Sequence, residues 1–230
     1  MVGPKEAIGR GIDWVVFVAR LLPRIGGPRA WVEVFQRLAQ LLRSRQQDVR
    51  EAALSEAGAA KFQPGDRAFY EVQDFPFLEF LEANWEVIHQ ELSSLRGEHF
   101  IDWSEKYLYK EGWTTFGLYA YGIAIGKNCA LCPQTTQILE QIPKLMTAGF
   151  SSLAPGTHIQ PHTGYPEGVL RVHLGLVIPD ENPDHLALRV GGEARAWQVG
   201  KCLVFDDTLE HEAWNRTDQT RVVMLLDFHP

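Results

Sequence analysis

The sequence predicts a mainly β protein with a helical N-terminal part, and three observations predict it. From Phe150 onward, strand-like runs at 150–155, 158–162, 169–178, 186–190, 194–198, 201–205 and 221–228 alternate with Gly, Pro, Asn and Asp. That rhythm belongs to an antiparallel sandwich or barrel rather than a parallel α/β sheet. Before residue 113, apolar residues instead recur at helical spacing. A hydrophobic fraction of 45%, with 7 Trp and 12 Phe in 230 residues, supplies a core and argues against disorder.

Taken in order, the first apolar run covers residues 12–22, but it is 11 residues long and interrupted by Asp13 and Arg20. A bilayer span needs roughly 20 residues, so an amphipathic helix, buried or lying on a surface, is the expectation. The run also lacks the pattern of a signal peptide. Residues 31–53 place Val34, Leu38, Leu41 and Leu42 on one helical face, ending near Gly58. Residues 59–76 read as a connector punctuated by Pro64, Gly65 and Pro76 and anchored by Phe69, Tyr70 and Phe75. One helix is expected over 77–92, with Phe77, Phe80, Leu81, Trp85 and Ile88 on a shared side and His89 solvated. Residues 114–125, aromatic and β-branched with glycines, read as a strand, and a short helix follows over 135–145 after Cys132-Pro133. The expected organisation is a basic helical extension over 1–58 and one domain over 59–230, with helical support over 59–112 and a β core over 113–230.

The formal charge of -7 is unevenly spread: residues 1–50 carry nine Lys/Arg against four Asp/Glu. A basic arm thus precedes an acidic body. The arm either docks on its acidic neighbour or meets an anionic membrane or partner. Nucleic acid is excluded as a partner by the acidic body. Three cysteines make no disulfide framework and fit a reducing, cytoplasmic setting, with membrane association left open by the arm. The single C-A-L-C pair, Cys129 and Cys132, reads as a loop with buried thiols rather than a zinc site.

Candidate chemistry starts from the run V-L-R-V-H-L-G-L-V-I. Alternation puts Leu170, Val172, Leu174, Leu176 and Ile178 on one face, and Arg171, His173 and Gly175 on the other, inside the barrel. A buried guanidinium needs a buried anion, so Arg171 calls for a protein carboxylate or a ligand. Single histidines such as His158, His162, His173, His185 and His211 carry little weight alone. Their combination carries more: cupin-type barrels hold ferrous iron through histidines on separate strands and anchor 2-oxoglutarate by an arginine and a small hydroxyl. Here His162 and His211, Arg171 and Arg221, and Ser151 supply those types.

Four stretches then resemble one family. P-G-T-H-I-Q-P-H-T-G, L-R-V-H-L-G-L-V-I-P, W-Q-V-G-K-C-L-V-F-D-D-T-L-E-H-E-A-W-N and the closing D-F-H-P look like the aspartyl/asparaginyl β-hydroxylases, iron and 2-oxoglutarate oxygenases. The likeness covers 113–230 and extends weakly back to Phe69. It implies a double-stranded β-helix (jelly-roll, cupin-like) core flanked by helices. It also implies His162 and His211 as iron ligands, and Ser151 and Arg221 on the far carboxylate of 2-oxoglutarate. Arg171 and His173 would lie at the other end of the cosubstrate, facing the substrate, with Trp113 in an active-site position. The usual facial triad has a carboxylate two residues after the first histidine, where this chain has Gly164. The resemblance still supports a two-histidine centre, with Asp207 as a carboxylate able to orient iron-bound water.

The implied activity is hydroxylation of an unactivated C–H with Fe(II), 2-oxoglutarate and O2. The implied substrate is the β-carbon of an Asp/Asn-type residue in a peptide or a carrier-tethered amino acid. The branch acting on growth-factor-like domains carries an arginine where this chain has Val169, which weakens the case for an acidic side chain. A lipid acyl chain is the alternative substrate. Lipid A hydroxylases also lack that arginine but keep a carboxylate after the first histidine, so this chain falls between the two branches. A non-catalytic cupin-like binding module and a vestigial barrel recruited by the basic arm are the rival classes.

Overall fold

The computed structural model describes residues 65–164 and 168–230. The expected N-terminal extension, its basic arm and the helix over 31–53 lie outside the described residues. Twelve strands follow in chain order: β1 (Phe69–Tyr70), β2 (Ile101–Asp102), β3 (Trp113–Ala120), β4 (Ile123–Ala124), β5 (Leu145–Leu153), β6 (His158–His162), β7 (Leu170–Val177), β8 (Leu186–Val190), β9 (Glu193–Arg195), β10 (Cys202–Asp206), β11 (His211–Asn215) and β12 (Arg221–Phe228). They make two antiparallel sheets, one ordered β1-β10-β7-β12-β5-β3-β2 and the other β6-β11-β8-β9. From β5 to β12 the chain passes back and forth between the sheets, with β8 and β9 forming one hairpin in the smaller sheet, which is the winding of a double-stranded β-helix. The fold class expected from the resemblance is therefore the fold observed.

Four helices, α1 (Pro76–Ala83), α2 (Trp85–Ser94), α3 (Gly126–Cys129) and α4 (Pro133–Leu139), accompany the sheets. Proline opens α1 and α4, where its missing N–H costs nothing and its fixed φ suits the first turn. The buried Glu91 of α2 accepts from the Gln134 and Thr135 amides at 2.9 and 2.7 Å, capping the start of α4. Leu78, Leu81 and Ile88 are wholly buried, and α2 lies against β7, whose outer residues Val172, Leu174 and Leu176 are buried as alternation requires. Each such side chain contributes about 1.5 to 3 kcal/mol by leaving water.

Several expectations are corrected. The helix over 77–92 is two helices joined at Asn84, whose ψ of 13° leaves the helical well. Phe80, expected on the side shared with Phe77, Leu81, Trp85 and Ile88, is exposed, and the first of the two helices buries Leu78 and Leu81. The connector contains β1, which pairs with β10 at the edge of the larger sheet, and Phe75 and Phe77 pack edge-on against Phe228 at 5.3 and 5.1 Å. β1 and β2 therefore carry the sheet into the stretch expected to be helical support. The strand over 114–125 is a hairpin whose turn residues Tyr121 and Gly122 both have positive φ, 52° and 70°, as a tight two-residue turn demands. The helix expected over 135–145 stops at Leu139, and Leu145 already belongs to β5. The whole strand β11 escaped the sequence reading, although it carries His211.

Candidate active site

The inner face of the larger sheet collects the polar residues. Cross-strand register sets Thr115 opposite Ser151, Ser151 opposite Val223 and Val223 opposite Gly175; two residues along, Trp113, Leu153 and Arg221 form the next row. His173 faces Leu225 and Leu203, and Arg171 faces Asp227 and Phe205. The smaller sheet contributes the two histidines. His162 ends β6, His211 begins β11, and they are register partners with ring centroids 4.2 Å apart.

Local sequence explains how each histidine is aimed. β6 is an edge strand, and the ladder slips by one residue between His211 and Ala213, so Gln160 and Pro161 bulge beside His162. A bulge on an edge strand tolerates proline and re-aims the next side chain. His162 donates from Nδ1 to the Gln160 carbonyl at 2.7 Å, and His211 donates from Nδ1 to the Leu209 carbonyl at 2.9 Å. Because a carbonyl only accepts, both rings keep the Nε2 lone pair for a ligand. Burial pushes both pKa values down, that of His211 well below its ordinary range, with the neighbouring His162 adding to the effect. Neutral imidazole is the form that binds a metal.

Asp207 occupies the space that the sequence left empty. A Cβ at Gly164 would stand 1.6 Å from Asp207 Oδ2 and 2.2 Å from its Cγ. The wholly buried Asp207 places Oδ1 3.4 Å from His211 Nε2 and 2.7 Å from Arg171 Nη1. Its neighbour Asp206 has a different job: it closes the turn by accepting from the Thr208 amide and hydroxyl at 2.9 and 2.6 Å, and from the Gly65 amide at 2.5 Å. Among the described residues no three His, Cys, Asp or Glu side chains converge as a ready metal cluster, so the histidines stand as a pair with Asp207 alongside.

The two arginines differ in what they have found. Arg171 grips Asp227 with Nε and Nη2 at 2.6 and 3.0 Å, and Asp207 with Nη1. The buried anion it called for is thus supplied by two carboxylates of the chain. Burial raises the pKa of Asp227, and Arg171 opposes the rise. Arg221 is 1% exposed, donates from Nη1 to the Ser151 carbonyl at 3.1 Å and stacks its guanidinium 4.5 Å from the Trp197 ring centre. Its Nε has no hydrogen-bond partner among the described residues, and burial alone pushes its pKa down to about 9. A guanidinium holds its proton tenaciously, so an incoming anion, rather than proton loss, is what relieves that burial.

His173 presents a second unsatisfied donor: Nδ1 accepts from Trp197 Nε1 at 3.2 Å while the buried Nε2 has no partner among the described residues. Ser151 Oγ accepts from Trp113 Nε1 at 3.1 Å, and Trp113 stacks on Trp103 at 4.6 Å. All eight candidate residues, Trp113, Ser151, His162, Arg171, His173, Asp207, His211 and Arg221, therefore line the space between the two sheets. Sequence reading missed Thr115, Asp227 and Trp197. Thr115 was recoverable by alternation from Trp113, and its buried hydroxyl has no partner. The remaining histidines singled out lie elsewhere: His158 pairs with Glu212 at 2.6 Å and His185 with Asp180 at 2.8 Å, both on the surface. Cys129 and Cys132 are buried free thiols, and burial pushes Cys132 up to about 12.

Comparisons with known proteins bear on this arrangement. A family model described as aspartyl/asparaginyl beta-hydroxylase matches residues 82–230. An ornithine lipid ester-linked acyl 2-hydroxylase of Rhizobium tropici is 41% identical over 172 residues, which cover 71% of this chain and 61% of that protein. The human aspartyl/asparaginyl beta-hydroxylase is 36% identical over 162 residues, covering 65% of this chain and 21% of that protein. The chain thus spans less than two thirds of either relative. Among solved structures, a Pseudomonas putida prolyl-4-hydroxylase overlays with a TM-score of 0.43 and 16% identity, covering 63% of this chain and 86% of that one.

Proposed function

The chain belongs to the aspartyl/asparaginyl β-hydroxylase family, and from that premise we propose that it is an Fe(II)- and 2-oxoglutarate-dependent hydroxylase of an unactivated C–H bond. The observation that carries the reading is Arg221, a wholly buried guanidinium with an orphaned Nε, next to a second orphaned donor at His173 Nε2. Two unsatisfied donors in one closed space suit the oxygens of a dicarboxylate. His162 and His211 would hold the iron through Nε2, with the Asp207 carboxylate beside them. Iron and 2-oxoglutarate supply the oxidising chemistry with O2. The chain's own part is to orient imidazoles through the Gln160 and Leu209 carbonyls, to anchor the cosubstrate at Arg221 and Ser151, and to exclude water with the Trp113 and Trp103 wall.

For the substrate, the state of Arg171 favours a group that brings no carboxylate. Its guanidinium is already held by Asp227 and Asp207, and Val169 stands two residues before it. A lipid acyl chain, the substrate class named for the Rhizobium relative, fits better than the Asp/Asn β-carbon suggested by the name of the human one. The test is 2-oxoglutarate turnover with ferrous iron, run with acyl-lipid and Asp-containing peptide substrates. His162→Ala and His211→Ala are each expected to abolish turnover, and substantial turnover by either variant defeats the assignment.

A further inference from the structure

Trp197 is wholly buried, yet it belongs to no strand and neighbours no candidate residue in sequence. Its position follows from a glycine on the facing strand. A Cβ at Gly175 would stand 2.1 Å from the Gln198 carbonyl oxygen and 2.9 Å from its carbon. Only glycine lets the backbone at Gln198 lie that close to β7. The docking is fastened by hydrogen bonds from the Gly200 amide to the Gly175 carbonyl at 2.9 Å and from the Gly175 amide to the Lys201 carbonyl at 3.0 Å. Gly175 is the inward position two residues after His173, and it pairs with Val223, two residues from Arg221. The segment laid across it therefore brings the Trp197 indole to both neighbours.

Two separate contacts follow. The indole N–H can only donate, so at 3.2 Å from His173 Nδ1 it fixes that nitrogen as the acceptor and leaves the ring proton on Nε2. That proton is the one with no hydrogen-bond partner among the described residues. The indole face meanwhile lies 4.5 Å from the Arg221 guanidinium carbon, a desolvated cation–π contact that leaves the edge Nε–H unspent. One side chain thus sets the direction of the first orphaned donor and the plane of the second.

We propose that Trp197 is the positioning residue of the cosubstrate pocket, its N–H holding His173 in the Nε2–H form and its ring holding Arg221, so that both donors meet one anion already arranged. The proposal rests on the 2-oxoglutarate reading above. It assigns Trp197 no contact with the reacting atoms: it acts through His173 and Arg221.

The test uses Trp197→Phe, which keeps an aromatic face for Arg221 but removes the N–H, and Trp197→Leu, which removes both. Calorimetric titration of the ferrous-iron-loaded protein with 2-oxoglutarate, with O2 excluded, reads the anion site without catalysis. Loss of one neutral hydrogen bond converts to roughly fivefold weaker binding for Trp197→Phe, and loss of both contacts to a weakening on the order of 30-fold for Trp197→Leu. Nitrogen NMR of labelled histidine reads the tautomer directly. His173 is expected to carry its proton on Nε2 in the wild type and to become a mixture of tautomers in both variants, a change that loss of packing alone does not produce. Wild-type affinity in Trp197→Phe, or an unchanged His173 tautomer in a folded variant, overturns the proposal alone. A wild-type protein that, loaded with ferrous iron, does not bind 2-oxoglutarate overturns the cosubstrate reading and the proposal with it.

Discussion

Gly164→Ala is expected to be far more damaging than the addition of one methyl group at a half-buried glycine would ordinarily be. The added Cβ would sit 1.6 Å from Asp207 Oδ2, whereas unstrained carbon contacts lie at about 3.5 Å, so the carboxylate must retreat by about 2 Å. The Gly164 backbone cannot yield instead without breaking the hydrogen bond that its N–H donates to the Asp207 carbonyl at 2.7 Å. Retreat pulls Asp207 away from Arg171, now 2.7 Å distant, inside a site where Asp207 has no exposed surface. Overpacking costs about 1 to 3 kcal/mol and a broken buried pair about 3 to 5 kcal/mol. Arg171 keeps Asp227 at 2.6 Å, which holds the second figure near its lower bound. A loss of about 4 kcal/mol in urea denaturation of the metal-free protein is the expected result. Asp207→Ala in the same chain removes the colliding atoms, so Gly164→Ala/Asp207→Ala should be more stable than the sum of the single losses by about 2 kcal/mol. A Gly164→Ala variant within about 0.5 kcal/mol of wild type, or strict additivity in the double variant, would refute the argument that Asp207 fills the space of the absent side chain.

Arg221→Met should separate stability from binding. It deletes a buried charge that has no carboxylate partner among the described residues, so the unliganded protein is expected to hold or gain about 1 to 3 kcal/mol, while 2-oxoglutarate binding falls by about 2 to 5 kcal/mol. Destabilisation of the unliganded variant would show that the guanidinium is satisfied within the fold. Acid sensitivity tests His173, whose pKa lies well below its ordinary 6.5 because burial disfavours the imidazolium, with Arg221 and Arg171 adding to the effect. The unfolded chain therefore takes the proton first, so this contribution is full above about pH 6.5 and is lost as pH falls below it, at about 1.4 kcal/mol per unit. Denaturation midpoints at pH 7.5 and 5.5 should show His173→Gln losing about 1.4 kcal/mol less than wild type over that interval; equal losses would refute the assignment.

How much of the site was legible depended on whether a residue's role is set along the chain or across it. Alternation within β7 is local, so Arg171 and His173 were placed on the inner face from the sequence, and the burial of both agrees. The identity of the anion on Arg171 was not legible, because Asp227 lies 56 residues away and meets it only through strand register. β11 was hidden because His211–Asn215 mixes His, Glu, Ala, Trp and Asn directly after an acidic turn. Its strand character comes from pairing with β6 on one side and β8 on the other. The break at Asn84 was hidden for the opposite reason: apolar spacing continues through it, and the change of direction serves packing on either side. Gly164 could be read as the absence of a ligand, but that the absence makes room for Asp207 is a statement about two segments 43 residues apart.

The charges of the pocket tie these residues together. Arg171 and Arg221 are both buried, and so are Asp207 and Asp227, so two guanidinium charges face two carboxylates. The matching is lopsided, since both carboxylates crowd Arg171 and leave Arg221 without a carboxylate among the described residues. The histidine and Asp207 side of the pocket is therefore rich in lone pairs and negative charge, and the Arg221 and His173 side in unspent donors. A space so polarised stays neutral when it takes a divalent cation on the first side and a dianion on the second. Taking either alone strands two charges in a medium where uncompensated charge is costly, so the two should bind more tightly together than apart. The same arithmetic bears on the substrate. A carboxylate-bearing residue would add a negative charge for which the described residues of the pocket leave no guanidinium once Arg221 has taken the cosubstrate, since Arg171 is already held twice, whereas an acyl chain adds none.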